Sequence, residues 1–314
     1  MIDIFEEIDK KFDLREQIHN LSQFLQEECF SYDYGSRGIS FEEYFDDKYF
    51  RQWKYFCGCS TLEEFKIKVE LENSEIYNDF EYKNFYYYYA KNEVDAIKYL
   101  QYAYNATEFV RNCLIKDKIS NSNIVNFYKI FENQFNYILS KIGQQVVQHS
   151  KEDYYLVVPC NDKTKQCASI QTDKNNAFLL YEYTSSLYKG NIEKKREILR
   201  GLAHNIEGLI QKGKDKSQPT LMQDICNTLG SCLNNFNIRH NNIDSQKESS
   251  YKAELEKFTN EDWEEIYDAT YDLILDVYLL EEYQTKTKKT YEKFKEKAKF
   301  YALKIRKSKQ KKLS

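Results

Sequence analysis

Proline and glycine are scarce in this chain, at 2 and 9 of 314 residues. So few residues that break or sharply turn a backbone exclude the many tight turns of a β-sandwich or barrel, and favour helices almost throughout. Tryptophan is equally rare at 2, whereas Tyr (28) and Phe (20) are abundant, so the cores are built from rings as much as from Leu and Ile. No run of 18 apolar residues occurs, which excludes a transmembrane helix and leaves no membrane partner. The N-terminus, MIDIFEEIDKKFDLRE, is amphipathic and acidic, without the basic region and apolar core of a signal peptide. GxxxxGK[ST], GxGxxG, HExxH and GxSxG motifs are all missing. The eight cysteines include no paired CxxC of a zinc site: the close pairs are Cys57-x-Cys59 and Cys160-x6-Cys167. Cys113, Cys226 and Cys232 fall on apolar helical stripes, where free Cys behaves as a small hydrophobe. These features imply a reduced, cytoplasmic protein without structural disulfide, metal or cofactor.

Charge is present but uneven. The net value is −4, yet Lys286 to Ser314 carries 13 bases against 2 acids, leaving 33 bases against 48 acids on the remainder. A basic tail of this kind suits nucleic acid, an anionic surface or the protein's own acidic body, and suits equally a solvated helix end.

The expected class is all-α, with an N-terminal helical domain (1–150), a C-terminal antiparallel bundle (151–285) and a basic helix or tail (286–314). In the first domain, residues 3 to 28 read as one helix on a face of Phe5, Ile8, Phe12, Ile18, Leu21 and Leu25. Ser40-x-x-Glu43 and Ser60-x-x-Glu63 fit capping boxes, so helices begin near 41 and 61. The rings at Tyr82 and Phe85 to Tyr89 have only Lys83 and Lys91 beside them, which favours packing over base stacking. Two long helices follow, Asn92 to Lys116 and Ser122 to His149. Tyr155 to Val158 and Cys167 to Ile170, around a polar turn, read as the single hairpin.

Four bundle helices are expected next. They run over Asn175 to Tyr188, Asn191 to Lys212 (stripe Ile192, Leu199, Leu202, Ile206, Leu209), a segment opening at Pro219, and Thr259 to about Tyr283. The last opens on a Thr259-x-x-Asp262 box with a Phe258–Trp263 staple. The third is the segment most informative about function, LMQDICNTLGSCLNNFNIRHNN from Leu221 to Asn242. Leu221, Ile225, Leu229, Cys232, Leu233 and Phe236 recur at helical spacing, and the chain then runs into Asn237 to Asn242. There Arg239 and His240 sit side by side among asparagines, at the root of a polar loop longer than packing needs. A fixed cation beside a side chain that titrates near neutrality suits phosphate chemistry; a solvated helix end or partner contact is the other reading.

Leu233-Asn-Asn-Phe-Asn-Ile-Arg-His-Asn241, with Tyr181-Glu-Tyr183 and Lys189 to Lys195 upstream, resembles HEPN (higher eukaryotes and prokaryotes nucleotide-binding) domains of the abortive-infection, anti-phage type. The resemblance covers roughly 153 to 285. It implies a helical bundle that pairs an Arg and a His across a homodimer to cleave RNA, tRNA included, without metal. In the binding-module alternative the N-terminal helices take a phage-encoded or antitoxin protein as partner. His240 takes the histidine place, while Asn234 stands at the family's arginine place, so Arg239 must supply the cation. Arg200-x3-His204 is the other short-range pair, and His204 reads as a hydrogen-bonded core residue.

On this resemblance the catalytic set is His240, Arg239 and Asn234. Asn235, Asn241, Lys304, Arg306 and Lys307 hold RNA or phosphate. His240 would act as general base or acid, Arg239 would neutralise the phosphate, and the asparagines would orient it. The alternatives are a non-catalytic RNA- or protein-binding sensor, and a structural helical adaptor.

Overall fold

The computed structural model describes residues 12–26, 40–41, 92–120, 122–149, 154–239 and 255–311, and these are mostly helical with one short antiparallel sheet. The chain divides into two compact units, 1–160 with 184–189 and 161–183 with 190–314. No described helix is long and apolar enough to cross a membrane.

The first unit contains α1 (Leu14–Gln26), α2 (Glu93–Lys116), α3 (Ser122–Lys141), strands β1 (Gln144–Gln148) and β2 (Tyr155–Pro159), and a 3-10 turn at Ser186–Tyr188. Helix α1 begins at Leu14, where the Asp13 carboxylate accepts from the Arg15 amide at 2.8 Å and caps it; the expected start near residue 3 lies outside the described residues. Asn92 does the same for α2, accepting from Asp95 N at 2.9 Å. The core is ring-built, as composition implies. Phe24 and Phe41 each stack on Phe127, at 5.1 and 5.2 Å between centroids, and Phe131 stacks on Phe135 at 5.4 Å. Phe41, next to Ser40, is helical; Glu43 of the first capping box, the second box, Cys57, Cys59 and the rings at 82 to 89 lie outside the described residues.

The hairpin is not formed by the two runs expected to make it. Helix α3 stops at Lys141 instead of running to His149, because Gly143 adopts the left-handed φ of +63° and Gln144 to Gln148 then extend. That strand pairs with β2, with Val146 opposite Val157. A two-stranded sheet is marginal alone. Here α2 supplies the missing edge partner through side chains. Asn105 donates to Tyr155 O and accepts from Tyr155 N, both at 2.8 Å, while Gln101 accepts from Val157 N at 3.0 Å. Cys167 to Ser169 are helical instead, since Asn161 caps that segment by accepting from Thr164 N at 3.0 Å.

The second unit holds α4 (Asp162–Ser169), α5 (Lys174–Tyr183), α6 (Ile192–Gly213), α7 (Thr220–Asn235) and α8 (Asn260–Lys311). Cross-helix contacts fix the directions. Lys195 pairs with Glu264 and Asp268 at the start of α8, and Lys212 with Glu281 further along, so α6 and α8 run parallel. Asn176 bonds Tyr278 while Tyr183 bonds Asp268, which makes α5 antiparallel to α8. Gly213 faces Met222 and Cys226, whereas Glu207 meets Arg239 beyond the far end of α7, so α6 and α7 are antiparallel too. This is an up-down-up-down bundle. The Thr259–Asp262 box and the Phe258–Trp263 staple form as expected, with a ring separation of 5.3 Å. Helix α8 does not end near Tyr283 but continues unbroken through the basic segment to Lys311.

Two cysteines in this region differ sharply in environment. Cys167 is fully buried, its thiol facing the Leu275 carbonyl at 3.4 Å, and burial pushes it up to about 12. Cys160 is exposed. Since the thiolate is the reactive form, native protein treated with iodoacetamide at pH 8 is expected to be labelled at Cys160 and spared at Cys167. Peptide mapping before and after urea checks this; native labelling at Cys167 would show that the α4–α8 contact opens.

Candidate functional site

The turn that carries Arg239 is built by the end of α7. The last helical residues are Asn234 and Asn235, followed by Phe236, whose amide bonds Cys232 O at 3.0 Å. Asn237 then takes a left-handed φ of +58°, a conformation Asn tolerates better than residues other than Gly. That reversal drives Ile238 into the core, where it is fully buried, and lets the Arg239 amide reach back to Leu233 O at 3.0 Å. An apolar residue in the middle of the polar run therefore anchors the turn.

Reversal sends the chain towards α6. Arg200 Nε donates to Ile238 O at 3.0 Å. The Arg239 guanidinium makes a close ion pair with Glu207 and donates more weakly to Asn234 Oδ1 at 3.4 Å. The pair is partly open to solvent, with the Glu207 side chain 41% exposed and that of Arg239 20%. Arg200, His204 and Glu207 fall within about 60° of one another around α6, given ~100° per residue. His204 thus lies on the helix between the two side chains that hold the turn.

His204 is exposed, contrary to its expected place in the core. The buried positions on α6 are Lys195, Ile198, Leu199, Leu202, Ala203, Ile206, Ile210 and Gly213, and residue 204 lies beside that stripe rather than in it. Ile210, not Leu209, continues the stripe. Helix α7 is offset similarly: Met222, Cys226, Leu229, Gly230 and Leu233 are buried, while Leu221 is 60% exposed. Leu221 and Ile225 instead line a shallow groove of about 580 Å³ with Leu279, Leu280 and Tyr283.

Of the residues assigned from sequence, the fold brings Arg239 and Asn234 together and leaves Asn235 exposed on the same last turn of α7. His240 and Asn241 lie outside the described residues; His240 is the covalent neighbour of Arg239. Lys304, Arg306 and Lys307 fall on the last turns of α8. Sequence reasoning missed Glu207 and dismissed Arg200 and His204. The signal was available, because the three recur at i, i+4 and i+7 on a face that carries no residue of the apolar stripe. Chemically, the site gathers two guanidinium groups, a carboxylate, an exposed imidazole and two side-chain amides. Such a set can bind a phosphodiester and transfer a proton. Among the described residues no group of three or more His, Cys, Asp or Glu side chains is arranged to hold a metal ion. No family model matches the chain, and no curated protein or solved structure matches it either.

Proposed function

We propose that this protein is a HEPN-like, metal-independent endoribonuclease of the anti-phage defence or toxin type, acting in the cytoplasm as a homodimer under the control of a phage-encoded or antitoxin partner. The reading is supported by one observation above the others: the α7 turn is anchored so that Arg239 meets the face of α6 that carries Arg200 and His204. Cleavage proceeds by attack of a ribose 2′-oxygen on the adjacent phosphorus. A base takes the 2′-proton, the P–O5′ bond breaks, and an acid protonates the departing 5′-oxygen. The products carry a 2′,3′-cyclic phosphate and a 5′-hydroxyl. Arg239 and Arg200 neutralise charge on the phosphorane-like oxygens, and Asn234, Asn235 and Asn241 orient them.

One imidazole cannot be base and acid in the same turnover. His240 of a second copy supplies the other in a dimer, and His204 supplies it within one chain. A second reading, a non-catalytic RNA- or protein-binding sensor, is favoured by Glu207, whose carboxylate already neutralises Arg239. The test is incubation of purified protein with tRNA and total RNA in EDTA, with the ends mapped. The nuclease reading predicts cyclic-phosphate ends; RNA bound but left intact supports the sensor. Loss of rate on dilution assigns the second imidazole to the dimer, and a concentration-independent rate assigns it to His204.

A further inference from the structure

The extension of α8 beyond the bundle has a patterned surface. Every described side chain from Lys286 onward is exposed, among them Tyr291 at 62% and Phe294 at 64%, with Tyr283 at 70% just before. At ~100° per residue these three rings share an arc of about 80° on the helix. Lys286, Lys293 and Lys297 border that arc on one side, and Lys288, Lys295 and Lys299 on the other, each about 80–120° from its centre. The only acids from Lys286 onward, Glu292 and Glu296, lie about 140–180° from the arc's centre. Glu292 reaches Lys295 at 3.8 Å, and Glu282 reaches Lys286 at 2.9 Å, which leaves Lys288, Lys293, Lys297 and Lys299 as the flanking lysines outside those two pairs. Lys295 lies over the Tyr291 ring at 5.9 Å. A row of π-faces between two rows of ammonium groups matches a ligand with stackable bases on an anionic backbone.

Other occupants fit less well. Two copies of this helix would each bring a charge of +11 from Lys286 to Ser314 to the contact. Lipid binding scales with buried apolar area, and this arc offers three rings, two of them phenols, with Thr287 between them and no aliphatic side chain from Tyr283 to Phe294. Duplex RNA offers phosphates but no free base faces. We propose that the α8 extension is a single-stranded RNA arm, stacking bases on Tyr283, Tyr291 and Phe294 and holding phosphates with the flanking lysines. The proposal rests on the reading of the α6–α7 site as acting on RNA, and names single-stranded regions as its substrate class.

Binding is measured in EDTA on the full chain carrying His240→Ala, so that no cleavage intervenes. The probes are a fluorescent oligouridylate of about 20 nucleotides, an RNA duplex of equal length, and phosphatidylserine vesicles. The oligouridylate is expected to bind best. Tyr291→Ala with Phe294→Ala weakens it roughly 10-fold or more at unchanged salt dependence, because stacking is lost and charge is not. Alanine is the best helix former, so the arm itself persists. Gln at Lys288, Lys293, Lys297 and Lys299 lowers the magnitude of the log–log salt slope by about 2–3, from roughly 0.7 per phosphate. Oligouridylate binding that is insensitive to the ring substitutions, or duplex or vesicles bound as tightly, overturns the arm. Those results leave the cleavage reading standing if wild-type protein still cuts RNA. Ring-dependent oligouridylate binding by a protein that cuts nothing supports the arm and removes the cleavage reading instead.

Discussion

Lys195→Met lowers the unfolding free energy by about 3 kcal/mol, the lower end of what removing one partner from a buried pair costs. Lys195 is 6% exposed inside the bundle, and its ammonium touches Glu264 at 2.7 Å and Asp268 at 2.8 Å while lying 5.3 Å from the Tyr183 ring centre. Tyr183 donates to the same Asp268 carboxylate at 2.7 Å. Burial first, then that carboxylate, pushes the phenol far above its ordinary range, so it remains a donor at any working pH. Methionine keeps the stem and removes the cation, leaving two carboxylates facing each other beside a ring. The lower end applies because the Asp268 side chain is 52% exposed and regains water. Urea unfolding should show a lower midpoint at unchanged slope, and Lys195→Met with Asp268→Asn should recover part of the loss. A shift below about 1 kcal/mol would show that solvent already screens the cluster.

His204→Ala lowers the rate of RNA cleavage by about 10²–10⁴-fold if His204 is the second proton-transfer group. The substitution leaves both anchors of the α7 turn in place, since Arg200 still reaches Ile238 O and Glu207 still holds Arg239. An exposed helix position costs at most about 0.5 kcal/mol of stability, so a lost rate is not lost folding. Arg200→Ala should cost about 10²–10³-fold through the phosphate charge, with a further part from the freed Ile238 carbonyl. Single-turnover rates in EDTA read both. An unchanged rate in His204→Ala assigns base and acid to the two His240 copies of a dimer.

What could be read from the sequence were features decided within a few residues. Asn191 caps its helix, and Thr259 with Asp262 forms its box, because a cap needs only a side chain and an amide three residues away. The all-α class followed from scarce Gly and Pro. What failed depended on distant partners. Gln144 to Val147 looked like the end of a helix, and only pairing with β2, locked by Asn105 and Gln101 of α2, makes them a strand. Cys167 to Ile170 looked extended because Pro159 to Thr164 read as a polar turn, whereas Asn161 in that run caps a helix. In the candidate site, Arg239 and Asn234 were legible as neighbours along the chain. The Glu207 contact was not, being set by Asn237 turning left-handed and Ile238 sinking into the core. His204 was misplaced by one position on its wheel.

The most direct test of the central claim is cleavage of tRNA and total RNA in EDTA by wild-type protein beside His240→Ala and Arg239→Ala. The account predicts that wild type cuts to 2′,3′-cyclic phosphate ends and that both variants fall by at least about 10²-fold. Equal cutting by all three proteins would contradict it, placing the chemistry outside the α6–α7 face.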